Sequence, residues 1–356
     1  MNSVLTVGLL ILCTGVLCFL PLVPALVELR RKSDALPLSV IQKHTGEIRY
    51  FADSFRSYLQ KVDTTLDECS ISGIAATARM ADGSNVLVLG RGDQALMLPL
   101  KERNELSPMI IAAGTDLLLP PETVFSKDIY SRGQVIGGAK NSYRAILAEK
   151  EVHFGEGSRL MRWVHAVGEF NADADCELHG RVSSDCAIRL QPGCTFMRLN
   201  APCIVSGRET SVDAYSARRT AIAPLPESME RTLRDGDFEI PPGDVFRGHL
   251  VVRGNLYIGA NAHMYGSVKG VKNVVLDRGV TVEGSLISAN RMQIGANCTI
   301  HGPVIAERQM FVQTATRCGS PDSPTTVSAP WIEVEEGAVV FGTLWAREHG
   351  QVVAKA

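Results

Sequence analysis

The chain has 356 residues, 45% of them hydrophobic, and a formal net charge of −2. With that balance and no basic stripe or aromatic platform, nucleic acid is excluded as a main partner. Nine cysteines without a CxxC pair argue against a zinc site, and their odd number fits a reducing compartment.

Residues 1–27 carry no charge, and Val4 to Val27 is nearly continuous apolar sequence, long enough to cross a bilayer as a helix. Arg30, Arg31 and Lys32 follow it. A secretory signal places its positive charge before the apolar run, so the reversed order predicts a single-pass anchor over 1–32. Its N-terminus is then outside and its body cytoplasmic, as for a bacterial inner-membrane protein. A cleaved signal ending at Val23-Pro-Ala25 is the competing reading.

Residues 33–69 are a linker and an amphipathic helix. Ile48, Phe51, Phe55, Tyr58, Leu59, Val62 and Leu66 recur at helical spacing within 38–66. Such a helix docks on the protein's own body or on a second copy, or lies on a membrane surface. Residues 70–125 read as a β-rich cap, with a hairpin signal at Asp82-Gly83.

A weaker 17-residue coil, with Ile129 and Ile136, leads into an 18-residue repeat that runs from Tyr143 to Phe196, loses phase, and resumes from Arg247 to about Val312. Blocks starting at 143, 161, 179, 247, 265 and 283 align without gaps when their positions are numbered 1 to 18. Position 4 is Ile146, Val164, Val182, Leu250, Val268 and Leu286, and position 10 is Val152, Phe170, Ile188, Leu256, Val274 and Met292. Position 12 is Phe154, Ala172, Leu190, Ile258, Leu276 and Ile294, and position 18 is Leu160, Leu178, Phe196, Met264, Val282 and Ile300. All 24 are apolar, where 45% hydrophobic content gives about 11. Apolar residues at spacing two, in short runs separated by turn residues, describe three short strands per coil. The fold class is therefore all-β, a parallel β-helix in two stacks, 126–205 and 247–346. Nine or ten coils predict a rod on the order of 45 Å, or two shorter rods.

Cys176, Cys194 and Cys298 share position 16, a small-residue core slot. Between the stacks, 206–246 breaks the phase, with a helical stretch expected over Pro226–Arg234. Thr314–Pro330 reads as a mobile loop, and 347–356 as a tail.

The search for chemistry finds little. The coil histidines His153, His165, His179, His249, His263 and His301 fall at odd, outward positions, without ligand spacing or a triad. Gly133 to Ser142 lacks the spacing of a phosphate loop. The enzyme alternative is a left-handed β-helix acyltransferase. Ile294 to Ile305 fits its hexapeptide pattern, with His301 or His263 as general base, but the hexapeptide register is not held on all three faces.

The coils from 247 to 346 resemble bactofilins, polymer-forming bacterial cytoskeletal proteins. The resemblance rests on Gly248-His-Leu-Val-Val-Arg-Gly-Asn-Leu-Tyr-Ile258, Val282-Glu-Gly-Ser-Leu286 and Gly337-Ala-Val-Val-Phe-Gly-Thr-Leu344. It implies a right-handed β-helix and a non-enzymatic, cofactor-free, membrane-anchored scaffold that self-assembles and positions cell-envelope enzymes. The C-terminal coil, with Val340, Phe341, Leu344 and Trp345, is the expected assembly surface, while the residues before the first stack would cap the other end.

Overall fold

The computed structural model describes Gly8, Leu10, residues 13–17, 19–23, 49–98, 109–207 and 229–355. The chain forms two compact units, Met1–Glu47 and Ile48–Ala356. In the first unit the described residues are helical, with a 3-10 turn at Leu20–Leu22 that includes Pro21. Among the described residues no helix is long and apolar enough to cross a membrane. The expected transmembrane helix over 4–27, and the single-pass inner-membrane topology built on it, are corrected accordingly. Most of that segment, with its flank Arg30, Arg31 and Lys32, lies outside the described residues.

The second unit begins with a helical segment: α1 (Tyr50–Leu59), a 3-10 turn (Gln60–Val62) and α2 (Asp63–Ser72). Gly73 ends α2 at φ +69°, its N–H bonded to the Cys69 carbonyl, a left-handed stop that glycine adopts without Cβ strain. The helical face Ala52, Phe55, Leu59, Val62, Leu66 and Cys69 is buried on the outside of the first coils, against Val86, Val88, Ile110, Ala112, Tyr130 and Leu147. Arg49 pairs with Asp185, Arg56 with Glu149, and Arg132 with Asp63 and Asp67, fastening the segment along several successive coils. Of the occupants open to the amphipathic helix, it takes the protein's own body; residues 38–48 lie outside the described part.

Behind the helix the chain winds into parallel coils in the register that the 18-residue period dictates. In the first stack Ile146 lies beside Val164, Val182 and Leu199 on successive strands, and Val152 beside Phe170, Ile188 and Ile204. In the second stack Leu250, Val268, Leu286 and Val304 form one file, and Leu256, Val274, Met292 and Met310 another. Each file is buried, so every coil hides its apolar slots only by stacking on its neighbours. Position 15 sits at a corner in the left-handed region at Gly157, Asp175, Gly193, Asn261, Gly279 and Asn297, with φ between 58° and 84°. Glycine, Asn and Asp tolerate that conformation best, which accounts for the turn signals of the repeat.

Two sequence expectations change. Arg231–Arg234 is a strand beside His249–Val252, not a helix, and Phe238, Ile240 and Phe246 stand eighteen residues before Leu256, Ile258 and Met264. The second stack therefore begins one coil earlier, inside the supposed insertion. The expected loop 314–330 narrows to 319–324, between the strands Arg317–Cys318 and Thr325–Glu335.

The phase break has a topological cause. The last strand of the first stack, Thr195–Ser206, pairs antiparallel with the last strand of the chain, Val339–Val353. Both stacks thus end at one joint, and the chain enters the second stack at its far end. Across the joint Leu199 faces Leu344, Ile204 faces Val340, and Phe196 faces Gly350. The Phe196 ring comes within 2.3 Å of where a Cβ on residue 350 would be, so only glycine fits there. One apolar core runs through both stacks. Fourteen strands follow one another along the longest face, from Asn85–Leu89 through the joint to Arg231–Arg234. At about 4.8 Å per step that is a rod on the order of 60 Å, longer than the repeat alone implied.

Candidate assembly surfaces

The residues expected to form an open C-terminal surface sit in the joint. Val340, Phe341 and Leu344 are buried against the first stack, and Trp345 is 39% exposed with the Arg198 guanidinium 5.3 Å over its ring. Among the described residues the free end lies elsewhere: there, strands Arg231–Arg234, Phe238–Ile240 and Val245–Arg247 each pair on one side only, with the coil above. Leu233 and Val245 are exposed there, and Phe238 and Phe246 close the bottom of the core only in part. An unpaired strand edge presents N–H and C=O groups in register for another strand. The opposite end is dressed differently. Ala76–Arg79 folds back antiparallel on Asn85–Leu89, and a 3-10 turn at Gln94–Met97 packs over Leu117–Leu119. Sequence reading missed the free coil, although Phe238, Ile240 and Phe246 carried its signal; Thr232 at position 4 and the Pro241-Pro242 pair masked it.

The outer corner of the second stack carries a polar ladder. Arg247, Tyr265, Glu283 and His301 occupy position 1 of successive coils, with the Arg247 guanidinium 4.6 Å from the Tyr265 ring centre. His263 stacks on Tyr265 and places Nε2 2.8 Å from Glu283 Oε1; His301 Nε2 is 3.5 Å from Glu283 Oε2. The two candidate bases of the acyltransferase alternative therefore share one carboxylate, which orients them toward each other and along the rod. A second ladder climbs from the free end. The Asp237 carboxylate accepts from Asn255, Asn255 Oδ1 from Asn273, and Asn273 Oδ1 from Asn290. The bonds from the Asn255 backbone and side chain hold Asp237 below the usual carboxylate range.

Cys176, Cys194 and Cys298 are fully buried, as their shared slot predicts. Burial pushes Cys298 up to about 11, so its thiol stays protonated and unreactive at neutral pH. Among the described residues no group of three or more His, Cys, Asp or Glu side chains is gathered as metal ligands are.

His165 departs from its expected solvated position. It points outward from the sheet, yet α1 and its flank cover it, and it is 2% exposed. Its Nδ1 is 2.9 Å from Ser183 Oγ and its Nε2 is 3.9 Å from Asp185. Burial holds its pKa below the ordinary 6.5, Arg49 and Arg56 add to the lowering, and Asp185 and Asp53 oppose it. The folded state then binds this proton less readily than the unfolded state. The contribution of neutral His165 is present above pH 6.5 and is lost as pH falls through the folded value. Urea denaturation at stepped pH values should show stability falling below pH 6.5, and the part of that slope owed to this group should vanish in His165→Gln.

No protein-family model, no curated protein and no solved structure matches the chain. Membership of a membrane-anchored bactofilin family is therefore corrected to a coarser statement. The fold is a mostly parallel β-solenoid, consistent with a bactofilin-like scaffold and preceded by a helical segment that is not a membrane span.

Proposed function

We propose that this protein is a non-catalytic scaffold whose β-solenoid joins a second copy end to end through the coil Arg231–Arg247. The observation that carries the reading is that coil's three strands, each without a partner on its outer side among the described residues. The internal joint supplies a template for the contact. There, position 4 meets position 4 (Leu199 and Leu344), position 3 meets position 5 (Arg198 and Trp345), and position 18 meets position 10 (Phe196 and Gly350). The same rule at the free ends of two copies sets Thr232 opposite Thr232, Arg231 opposite Leu233, and Phe246 opposite Phe238. The half-covered phenylalanines would then complete each other's burial. Such a contact is two-fold and isologous, so it consumes the free end of both copies. The other end carries an antiparallel strand and a packed turn in place of an open coil, and the assembly closes as a pair.

The test is sedimentation equilibrium over a wide concentration range. A chain of 38.5 kDa should yield one species of twice that mass, 77 kDa, that does not grow further. A strict monomer at high concentration would remove the self-association reading. Species that lengthen with concentration would show that the cap end associates as well.

A further inference from the structure

Four outward side chains stand in one file across the joint: Trp163, Arg181, Arg198 and Trp345, each in register with the next. The two aromatic residues flank two arginines on neighbouring strands, about one strand spacing of 4.8 Å apart at the backbone. The Arg181 guanidinium lies 5.4 Å from the Phe51 ring centre, and that of Arg198 lies 5.3 Å from Trp345. Each cation thus lies within cation–π range of a ring, a contact that favours a guanidinium whose charge is otherwise unpaired.

Neither arginine has a carboxylate partner among the described residues. Arg198 Nε is buried without a hydrogen-bond acceptor. Burial, and then the charge of Arg181, push the Arg198 pKa down from its ordinary value. The arginines nearby are treated differently: Arg49, Arg56 and Arg132 each meet an acid of a facing element. Like charges side by side on adjacent strands oppose folding. A pair kept in this state, held in place by aromatic rings and open on its outer side, is preorganised for an anion that the described residues do not supply.

We infer that Arg181 and Arg198 form a binding site for a phosphate monoester dianion carried on a small molecule. The charge and the donors select this class. A single carboxylate offsets one guanidinium, whereas a phosphate group carries about −1.5 to −2 charge at neutral pH and three acceptor oxygens. Two planar forks on neighbouring strands can each give paired N–H donors to separate oxygens of one tetrahedral group. Trp345, 39% exposed beside the site, offers its edge to whatever the phosphate is attached to. The site is independent of the free coil end, since it lies on the flank of the joint.

The test is calorimetric titration of the full chain with inorganic phosphate and with phenyl phosphate, against sodium chloride at matched ionic strength. The expected result is saturable one-to-one binding of both, tighter for phenyl phosphate. Arg181→Gln and Arg198→Gln should each weaken it by about tenfold or more, and the double variant should abolish it. Arg132→Gln, which removes an already paired arginine, should leave binding unchanged. Phosphate should also raise the melting temperature of the parent chain and not of the double variant. If Arg198→Gln fails to fold, the exposed Arg181→Gln carries the comparison alone. Absence of saturable binding to the parent chain up to about 20 mM, or equal binding by the Arg181→Gln and parent chains, overturns the inference.

Discussion

Leu344→Arg should lower the stability of the rod by at least about 4 kcal/mol, more than any exposed substitution. Leu344 is 3% exposed and faces Leu199, which is fully buried, across the antiparallel joint. A guanidinium there loses its water without gaining a partner, and it also splits the one core that runs through both stacks. Denaturation followed by tryptophan fluorescence separates the halves, because Trp163 reports the first stack and Trp331 the second. The parent chain should unfold in one transition and the variant in two, each at lower urea. Leu233→Arg provides the contrast. Leu233 is 48% exposed at the free end, and its replacement should cost less than about 0.5 kcal/mol. Equal effects at the two sites would mean that the joint does not couple the stacks.

The second large effect concerns the pairing of copies. Under the joint's pairing rule Leu233 faces Arg231 of the second copy, and Val245 faces Glu239. Leu233→Arg combined with Val245→Glu therefore sets like charges opposite each other at four points of a two-fold contact. Both side chains are exposed in the single copy, so the fold should be spared. The dissociation constant should rise by 100-fold or more, from about 0.7 kcal/mol or more at each of four contacts. Leu233→Glu should act in the opposite direction, since it would face Arg231. Sedimentation of the three proteins distinguishes this signed pattern from general surface damage, which would weaken association whichever charge were introduced.

Much of the architecture was legible because a solenoid writes its register into the sequence. Ile146, Val164 and Val182 share a slot in the text of the chain and are neighbours in space, and the same period placed Cys176, Cys194 and Cys298 in the core. The joint was not legible. Its partners, Leu199 and Leu344, are ordinary core residues of two well-formed coils, and nothing in a period of eighteen says that two stacks meet end against end. That hidden pairing buries Val340, Phe341 and Leu344 and, among the described residues, leaves the coil at Arg231–Arg247 paired on one side only. His165 was misplaced for a related reason. Alternation told correctly that it leaves the sheet outward, but the helix that covers it is sequence-distant. The apolar run after Val4 was long enough for a span, yet among the described residues no helix is long and apolar enough to cross a membrane, and Pro21 lies in a 3-10 turn.

The end-to-end contact is tested most directly by Thr232→Cys. If two copies meet as the two stacks meet inside one chain, residue 232 lies on the two-fold axis. Antiparallel neighbours have Cα atoms about 4.5–5.5 Å apart, within reach of a disulfide. Mild oxidation should then yield a covalent pair of 77 kDa, twice 38.5 kDa, whose linked peptide joins residue 232 to itself. Oxidation that leaves the variant monomeric, while the parent chain still sediments as a pair, would contradict the free coil as the contact.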